Sequence, residues 1–250
     1  MSEALLSATG LQKSFGAVIA THDLNLEVRR GEIHALIGPN GAGKTTTLAQ
    51  LAGELQPDSG TIHFNGRDVT AMPVHARARL GLSRSYQVTS IFEGFSVVQN
   101  AMLAIQAHQG HSFRFWRDAY ADPSLREPAI RVLKRMGLDE RAELPASALA
   151  HGERRQLEVA LALAGDPTVT LLDEPMAGMG AGGTPKMMEL LRGLKGQTSV
   201  LLVEHDMDAV FALADRISVL VNGTCIATGT PGAIHANLDV RAAYLGEEEP

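Results

Sequence analysis

The chain contains one glycine-rich segment whose spacing leaves few alternatives for the fold around it. Residues 38–45 read Gly-Pro-Asn-Gly-Ala-Gly-Lys-Thr, which is glycine, four residues, then Gly-Lys-Thr. The apolar run at residues 33–37 precedes this segment, and residues 45–51, with helical apolar spacing, follow it. Such a loop between a strand and a helix turns backbone N–H groups and the positive end of the helix towards phosphate. The sequence therefore predicts strand, phosphate loop and helix in this order.

The residues of this loop have expected roles in holding a nucleotide. Lys44 is expected to reach the β- and γ-phosphates, and the hydroxyl of Thr45 to ligate Mg²⁺. The predicted nucleotide-binding positions of the loop are Gly38, Asn40, Gly41, Ala42, Gly43, Lys44, Thr45 and Thr46. An ordinary glycine-rich turn is the alternative interpretation of the same residues.

Two acidic residues follow a second candidate for a buried strand. The apolar run at residues 169–172 ends in Asp173, Glu174 and Pro175. An acid at the end of such a strand can hold the coordination shell of Mg²⁺, and the next acid can polarise an attacking water. We therefore predict that Asp173 binds the metal and that Glu174 is catalytic. The alternative is an acidic turn that only terminates the strand.

Composition and charge exclude several other classes of protein. The 22 basic and 28 acidic residues leave a net charge of -6, so no nucleic-acid partner is expected. No uninterrupted apolar run is close to the length of about 18 residues that a membrane-spanning helix needs. The N-terminus lacks the basic start and apolar run of a signal peptide. The single cysteine, Cys225, cannot form an intramolecular disulfide. A cytosolic protein is expected.

Most of the predicted strands are short. Residues 24–28 and 61–64 alternate apolar and polar side chains, which predicts an antiparallel β layer. The apolar runs at residues 169–172 and 199–203 each precede a helical pattern, which predicts parallel βαβ units. A closing hairpin is predicted around the turn pair at residues 222–223, Asn-Gly.

The middle of the chain has a different pattern. From about residue 88 to residue 165 the apolar spacing is helical, as in residues 126–136 and 154–164. The sequence thus predicts an α/β fold with an antiparallel β layer and an inserted helical subdomain.

Residues 149–156 carry a resemblance to a known family. They read Leu-Ala-His-Gly-Glu-Arg-Arg-Gln, precede Asp173, and resemble the signature motif of ABC-type ATPases. Gln87 and His205 fall where this family has its Q-loop glutamine and its switch histidine. The resemblance therefore extends over essentially the whole chain.

The resemblance implies a fold and two cofactors. It implies one ABC-type ATPase domain over residues 1–250, which binds ATP and Mg²⁺. A P-loop NTPase core, with a mostly parallel sheet, flanking helices and the antiparallel layer, is expected at about 1–87 and 166–250. The helical subdomain, at about 88–165, is expected to carry the signature motif.

The resemblance also assigns roles to single residues. Gln87 is expected to contact the Mg²⁺ or the attacking water and to couple the core to the helical subdomain, and His205 to hydrogen-bond the γ-phosphate. Phe15 lies where the family stacks an aromatic ring on adenine. The signature residues expected to bind the γ-phosphate of a second protomer, in a head-to-tail pair, are His151, Gly152 and Glu153. The simpler alternatives are an exposed loop glutamine, a surface or core histidine, and a core phenylalanine.

The chain departs from the family pattern at three positions. His151 stands where the commonest signature has glycine, and Glu153 stands where it has glutamine. Both still permit Gly152 to approach a phosphate closely. Gly180 stands where the D-loop usually has aspartate or asparagine, which removes the side chain for that contact across the dimer.

A subfamily resemblance narrows the expected function. The long segment between Gln87 and the signature, residues 202–207 and residues 239–246 resemble the ATP-binding subunits of branched-chain amino-acid importers. This implies an ATPase that drives import of an amino acid or similar small polar solute. The implied partners are a second ATPase subunit, identical or different, transmembrane permeases and, through them, a solute-binding protein. The implied location is the cytoplasmic face of the cell membrane.

Two rival functions and one local question stay open. The rivals are the ATPase of a lipid or lipopolysaccharide exporter and a soluble ABC ATPase with no transport role. The aromatic and basic cluster at residues 113–117, Phe-Arg-Phe-Trp-Arg, is either an amphipathic helix packed on its own subdomain or a docking surface for the permease.

Overall fold

The computed structural model describes residues 4–85, 91–109 and 122–245. Its strands are β1 (Ala4–Phe15), β2 (Val18–Arg29), β3 (Ile33–Ile37), β4 (Ser59–Phe64), β5 (Arg67–Asp68), β6 (Leu82–Arg84), β7 (Val169–Asp173), β8 (Ser199–Val203), β9 (Arg216–Val221) and β10 (Thr224–Gly229). Its helices are α1 (Lys44–Ala52), α2 (Val74–Arg79), α3 (Val97–Gln109), α4 (Pro123–Arg135), α5 (His151–Leu163), α6 (Gly180–Leu194), α7 (Met207–Leu213), α8 (Pro231–Ala236) and α9 (Leu238–Val240).

The predicted antiparallel layer is confirmed. It is a four-stranded sheet in the order β2-β1-β4-β5, with antiparallel pairing throughout. Along β2, Leu24, Leu26 and Val28 are buried, whereas Asn25 and Glu27 are exposed. This period of two arises because one face of the layer packs on the protein and the other faces water.

The second sheet has six strands in the order β10-β9-β3-β8-β7-β6. All pairs are parallel except the hairpin of β9 and β10, which turns at Asn222 and Gly223 with positive φ angles of 47° and 79°. Every residue of β3, β7 and β8 is buried, because both faces of this part of the sheet are covered. The expected parallel units and the closing hairpin are therefore present. The edge strand β6, only three residues long, was not predicted.

The helices of the middle region differ from the predicted ones by a few residues at their ends. α4 starts at Pro123 rather than at residue 126, because the side chain of Asp122 accepts a hydrogen bond from the Ser124 N–H and caps the helix. α5 starts at His151 rather than at residue 154. Among the described residues between β6 and β7, the regular elements are α3, α4, α5 and two short 3₁₀ turns.

The apolar core is divided by the six-stranded sheet. One cluster joins α3, α4 and α5 to one face of the sheet, and another fills the space between the antiparallel layer, α1 and the opposite face. A smaller cluster packs β3 and β9 against α7 and α8. α1 is therefore held between the two sheets, which fixes the direction in which its N-terminus points.

In the part of the chain that the structure describes, every helix is too short or too polar to traverse a lipid bilayer.

Candidate active site

Three parallel strands end side by side at one edge of the central sheet. Leu36 of β3 pairs with Val203 of β8, and Asp173 of β7 pairs with the same residue from the other side. The glycine-rich loop follows β3, Glu174 follows β7, and Glu204 follows β8. The carboxyl ends of parallel strands are the usual ligand-binding edge of an open α/β sheet. The register therefore brings the predicted loop and the predicted acids together.

Two glycines let the loop pass close to neighbouring backbone. A Cβ at Gly38 would lie 2.0 Å from the carbonyl oxygen of Leu220, and one at Gly43 would lie 2.1 Å from that of Ala20. The φ angles of Gly38 and Gly43 are 152° and 100°, values that residues with a side chain rarely adopt. α1 then begins at Lys44 with no side-chain cap and no acid in its first turn. Its first N–H groups thus stay available for an anion.

Lys44 folds over this loop. Its Nζ donates to the carbonyl oxygens of Gly38 at 2.6 Å and Pro39 at 2.9 Å. Burial lowers the pKa of Lys44, and the negative charges of Glu174 and Asp173 oppose this shift. Lysine, loop and both acids therefore share one site, in which an anionic phosphate would give the ammonium a charged acceptor. The neighbouring Thr45 is exposed.

Asp173 is buried and paired with an arginine that the sequence analysis did not single out. Its Oδ2 accepts from Nη2 of Arg84 at 3.1 Å, and its side chain is 0% exposed. Nη1 of Arg84 donates to the Glu54 carboxylate at 2.7 Å, and the backbone N–H of Asp173 donates to Ser85 Oγ at 3.2 Å. Burial raises the pKa of Asp173, while the charge of Arg84 lowers it. The only signal in the sequence is an arginine shortly before Gln87.

Glu174 is held in a strained backbone conformation. Its φ angle is 49°, which is uncommon for a residue with a side chain, and its N–H donates to the Val203 carbonyl at 2.9 Å. His205 Nδ1 lies 3.9 Å from Glu174 Oε1. The imidazole is 64% exposed, which excludes the core alternative for this histidine. β8 ends at Val203, and His205 lies two residues beyond it.

Glu204 is a second residue that the sequence analysis missed. Its Oε1 accepts from the Met176 N–H at 2.8 Å and its Oε2 from the His205 N–H at 3.3 Å. Burial raises the pKa of this carboxyl group. Glu204 thus ties the segment after Glu174 to the segment that carries His205. An acid directly after an apolar strand was the available signal.

The signature residues begin α5 and contact another loop of the same chain. The Glu153 carboxylate accepts from the Ala150 N–H at 3.0 Å, so it caps its own helix. A Cβ at Gly178 would lie 2.9 Å from the His151 ring, and one at Gly152 would lie 3.3 Å from Met179. Among the described residues, the loop after Glu174 is thus the neighbour of His151 and Gly152.

Phe15 lies at the tip of the hairpin of β1 and β2. Its ring is 52% exposed, so the alternative of a core phenylalanine is wrong. Gln87 and the cluster at residues 113–117 lie outside the described residues.

The donor set fits a nucleotide with one Mg²⁺. Oδ1 of Asp173 is buried and has no hydrogen-bond partner among the described residues, and Thr45 is an exposed residue at the start of α1. No cluster of three or more His, Cys, Asp or Glu suited to a metal occurs within residues 4–85, 91–109 and 122–245. A single carboxylate with a hydroxyl is a donor set for Mg²⁺ that is completed by phosphate oxygens and water. Asp173 and Thr45 would hold the ion, and the loop with Lys44 would hold the phosphates.

The chain matches one family model over more than half of its length and known proteins over nearly all of it. Residues 21–177 match the family model described as ABC transporter. The high-affinity branched-chain amino acid transport ATP-binding protein LivG of Escherichia coli K12 is 40% identical over 256 residues, covering 99% of this chain and 100% of LivG. BraF of Pseudomonas aeruginosa, which has the same descriptive name, is 36% identical with the same coverage.

Comparison with solved structures agrees. A nucleotide-free ATP-binding cassette from an ABC transporter matches with a TM-score of 0.86 and 25% identity, covering 98% of this chain and 100% of that one. The protein cbiO1 of Clostridium perfringens, described as part of the ABC transporter complex cbiONQ, matches with a TM-score of 0.80 and 25% identity, covering 98% and 96%.

Proposed function

This chain belongs to the ABC transporter family and is an ATPase of that family, and from this premise we propose that it powers the import of a branched-chain amino acid or a similar small polar solute. The observation that carries the proposal is the identity of 36% and 40% over the full length of two proteins named for branched-chain amino acid transport. The names of these relatives give no support to a lipid exporter or a non-transport ATPase.

The geometry of the sheet edge supports distinct roles for the catalytic residues. The N–H groups at the start of α1 and the Lys44 ammonium bind the phosphates of ATP. Asp173, oriented by Arg84, would hold Mg²⁺ with Thr45 and, as the family resemblance implies, Gln87, and the bound ion would neutralise phosphate charge. Glu174 accepts a proton from the attacking water at a carboxylate oxygen, and its strained backbone aims that carboxylate.

His205 and the signature residues complete the assignment. His205 hydrogen-bonds the γ-phosphate, a role supported by its exposure and by its distance of 3.9 Å from Glu174. As the family resemblance implies, His151, Gly152 and Glu153 bind the γ-phosphate of the nucleotide held by a second ATPase subunit. The working unit is therefore a head-to-tail pair, identical or different in its two chains.

An apolar cavity supports a permease partner. The space between α3, α5 and β6 has a volume of about 400 Å³, and its lining includes Phe92 and Leu103. Phe92 stacks on Phe95 with ring centroids 5.6 Å apart, and the two rings are 60% and 44% exposed. A permease seated here places the ATPase on the cytoplasmic face of the membrane, and a solute-binding protein acts only through the permease. Residues 113–117 are a second candidate contact.

Uptake measurements in cells test the transport assignment. The chromosomal copy is replaced by the Glu174→Gln variant, and uptake of labelled leucine is compared with that of urea, a short amide and an aromatic acid. Loss of leucine uptake, with leucine competing for the same system, supports the proposal. Normal uptake of all these solutes, together with defective lipid export, contradicts it in favour of the exporter.

A further inference from the structure

One carboxylate holds the end of β1 next to the hairpin tip. Asp58 lies in the turn before β4, and its Oδ1 accepts from Lys13 Nζ at 2.6 Å while its Oδ2 accepts from the Ser14 N–H at 2.8 Å. The Asp58 N–H in turn donates to the carbonyl oxygen of Gln12 at 2.8 Å. Three hydrogen bonds thus fix the three residues that immediately precede Phe15.

The same carboxylate places a cation beside the exposed ring. Lys13 Nζ lies 5.8 Å from the centroid of the Phe15 ring, within the range of a cation–π contact. The Lys13 side chain is only 16% exposed, whereas Phe15 is 52% exposed. The ammonium held by Asp58 thus lies beside an aromatic ring that is about half exposed.

The ring lies close to the phosphate loop. Phe15 pairs across the hairpin with Val18, which is 66% exposed. Two residues further along β2, the Ala20 carbonyl is the close neighbour of Gly43 in the loop. At about 3.3 Å per residue, the Phe15 and Val18 pair lies about 7 Å along the strand from that contact. An exposed apolar pair thus flanks the loop on the side of the antiparallel layer.

We propose that Asp58 and Lys13 are positioning residues for the nucleotide base: Asp58 holds the Lys13 ammonium against Phe15 and thereby presents the ring to the base of ATP. This rests on the proposed function, in which Phe15 stacks on adenine. Neither residue contacts the phosphates in this arrangement. Their effect is therefore confined to ligands that carry a base.

Two conservative variants of the full chain test the proposal with two ligands. Asp58→Asn keeps an oxygen for the Ser14 N–H but removes the charge that attracts Lys13, and Lys13→Met keeps the aliphatic stem but removes the cation. Calorimetry measures the binding of ATP and of inorganic triphosphate, which has no base. Each variant is expected to weaken ATP binding about threefold, the size of an exposed cation–π contact, and to leave triphosphate binding unchanged.

Asp68→Asn is the matched control. Asp68 is another exposed acid of the same sheet that accepts a backbone N–H, that of Thr70 at 2.8 Å, and it makes no contact with Lys13. The Asp68→Asn variant is expected to bind ATP and inorganic triphosphate as tightly as the parent protein. Equal losses for ATP and triphosphate in the Asp58 variant would overturn the proposal, since they would mean that the change disturbs the phosphate loop.

The Phe15→Ala variant distinguishes failure of the positioning role of Asp58 and Lys13 from failure of the proposed stacking of Phe15 on adenine. If this variant weakens ATP binding while the Asp58 and Lys13 variants bind ATP normally, the positioning role is wrong and the stacking role stands. If Phe15→Ala binds ATP as tightly as the parent, the stacking role itself is wrong, and the positioning role with it.

Discussion

The edge of the central sheet and the outer part of the helical region are held together in different ways. At the sheet edge, three of the charged side chains are buried: those of Asp173, Arg84 and Glu204 are 0%, 7% and 1% exposed. In the helical region, the ion pair of Arg154 with Glu93 joins side chains that are 33% and 62% exposed. Buried charge pairs are costly to break, whereas exposed ones contribute little. The buried pair at the sheet edge is thus costly to break, whereas the exposed pair within the helical region can rearrange at low cost.

The largest effect is expected from Glu174→Gln at the sheet edge. The amide keeps the shape of the side chain but cannot accept the proton of the attacking water, so ATP hydrolysis should fall about 100-fold or more, as for other positioned bases. ATP binding should persist, and ATP with Mg²⁺ should trap a dimer visible by size-exclusion chromatography. Glu189→Gln, at an exposed position of α6, is the control. Hydrolysis within threefold of the parent would contradict the catalytic role, and a monomer at saturating ATP would contradict the head-to-tail pair.

Arg77→Met should cause the largest loss of folding stability. This arginine is 0% exposed and donates to four carbonyl oxygens, among them those of Gln50 and Leu51 in the last turn of α1 at 2.8 and 2.7 Å. The variant removes all four hydrogen bonds of a buried guanidinium, at a cost of about 3 kcal/mol or more in the free energy of unfolding. Urea denaturation measures this loss, with Arg79→Met, at an exposed position of the same helix, as the control. Equal midpoints for the two variants would show that water replaces the guanidinium.

Lys44→Ala should weaken nucleotide binding without unfolding the protein. It removes the cation that meets the phosphates, and the ATP affinity should fall by about 2 to 4 kcal/mol if that contact is desolvated. Calorimetry of the variant and of Lys186→Ala, an exposed control on α6, measures the difference. Equal affinity in the Lys44 variant and the parent would refute the phosphate-loop assignment.

Glu93→Gln should have the smallest effect. It removes an exposed ion pair whose atoms lie 3.0 Å apart, so the free energy of unfolding should change by less than about 1 kcal/mol. The isolated chain should hydrolyse ATP at the parent rate. A large loss of stability in thermal melts would mean that the helical region is as rigidly held as the sheet edge, and the contrast between the two regions would disappear.

Local patterns were sufficient for most of the fold. Strands β3, β7 and β8 were predicted because continuous apolar runs have few alternatives in a covered sheet, and β2 because its alternation matches a half-exposed layer. The short edge strand β6 was missed, because three residues carry no periodicity and pair only through the backbone of β7. Helix ends shifted by a few residues because the cap of α4 depends on one side-chain hydrogen bond.

The residues of the candidate site likewise fall into those that local sequence predicts and those that only the fold brings together. The sequence alone predicted the phosphate loop, Asp173 and Glu174 as site residues, because their expected chemistry depends on residue type and on spacing within a short segment. Only the tertiary structure brought Arg84 to Asp173, Glu204 to Met176, and Asp58 to Lys13. These contacts join residues 89, 28 and 45 positions apart, and strand register and the packing of the two sheets decide them. No pattern within a short window of sequence encodes that register.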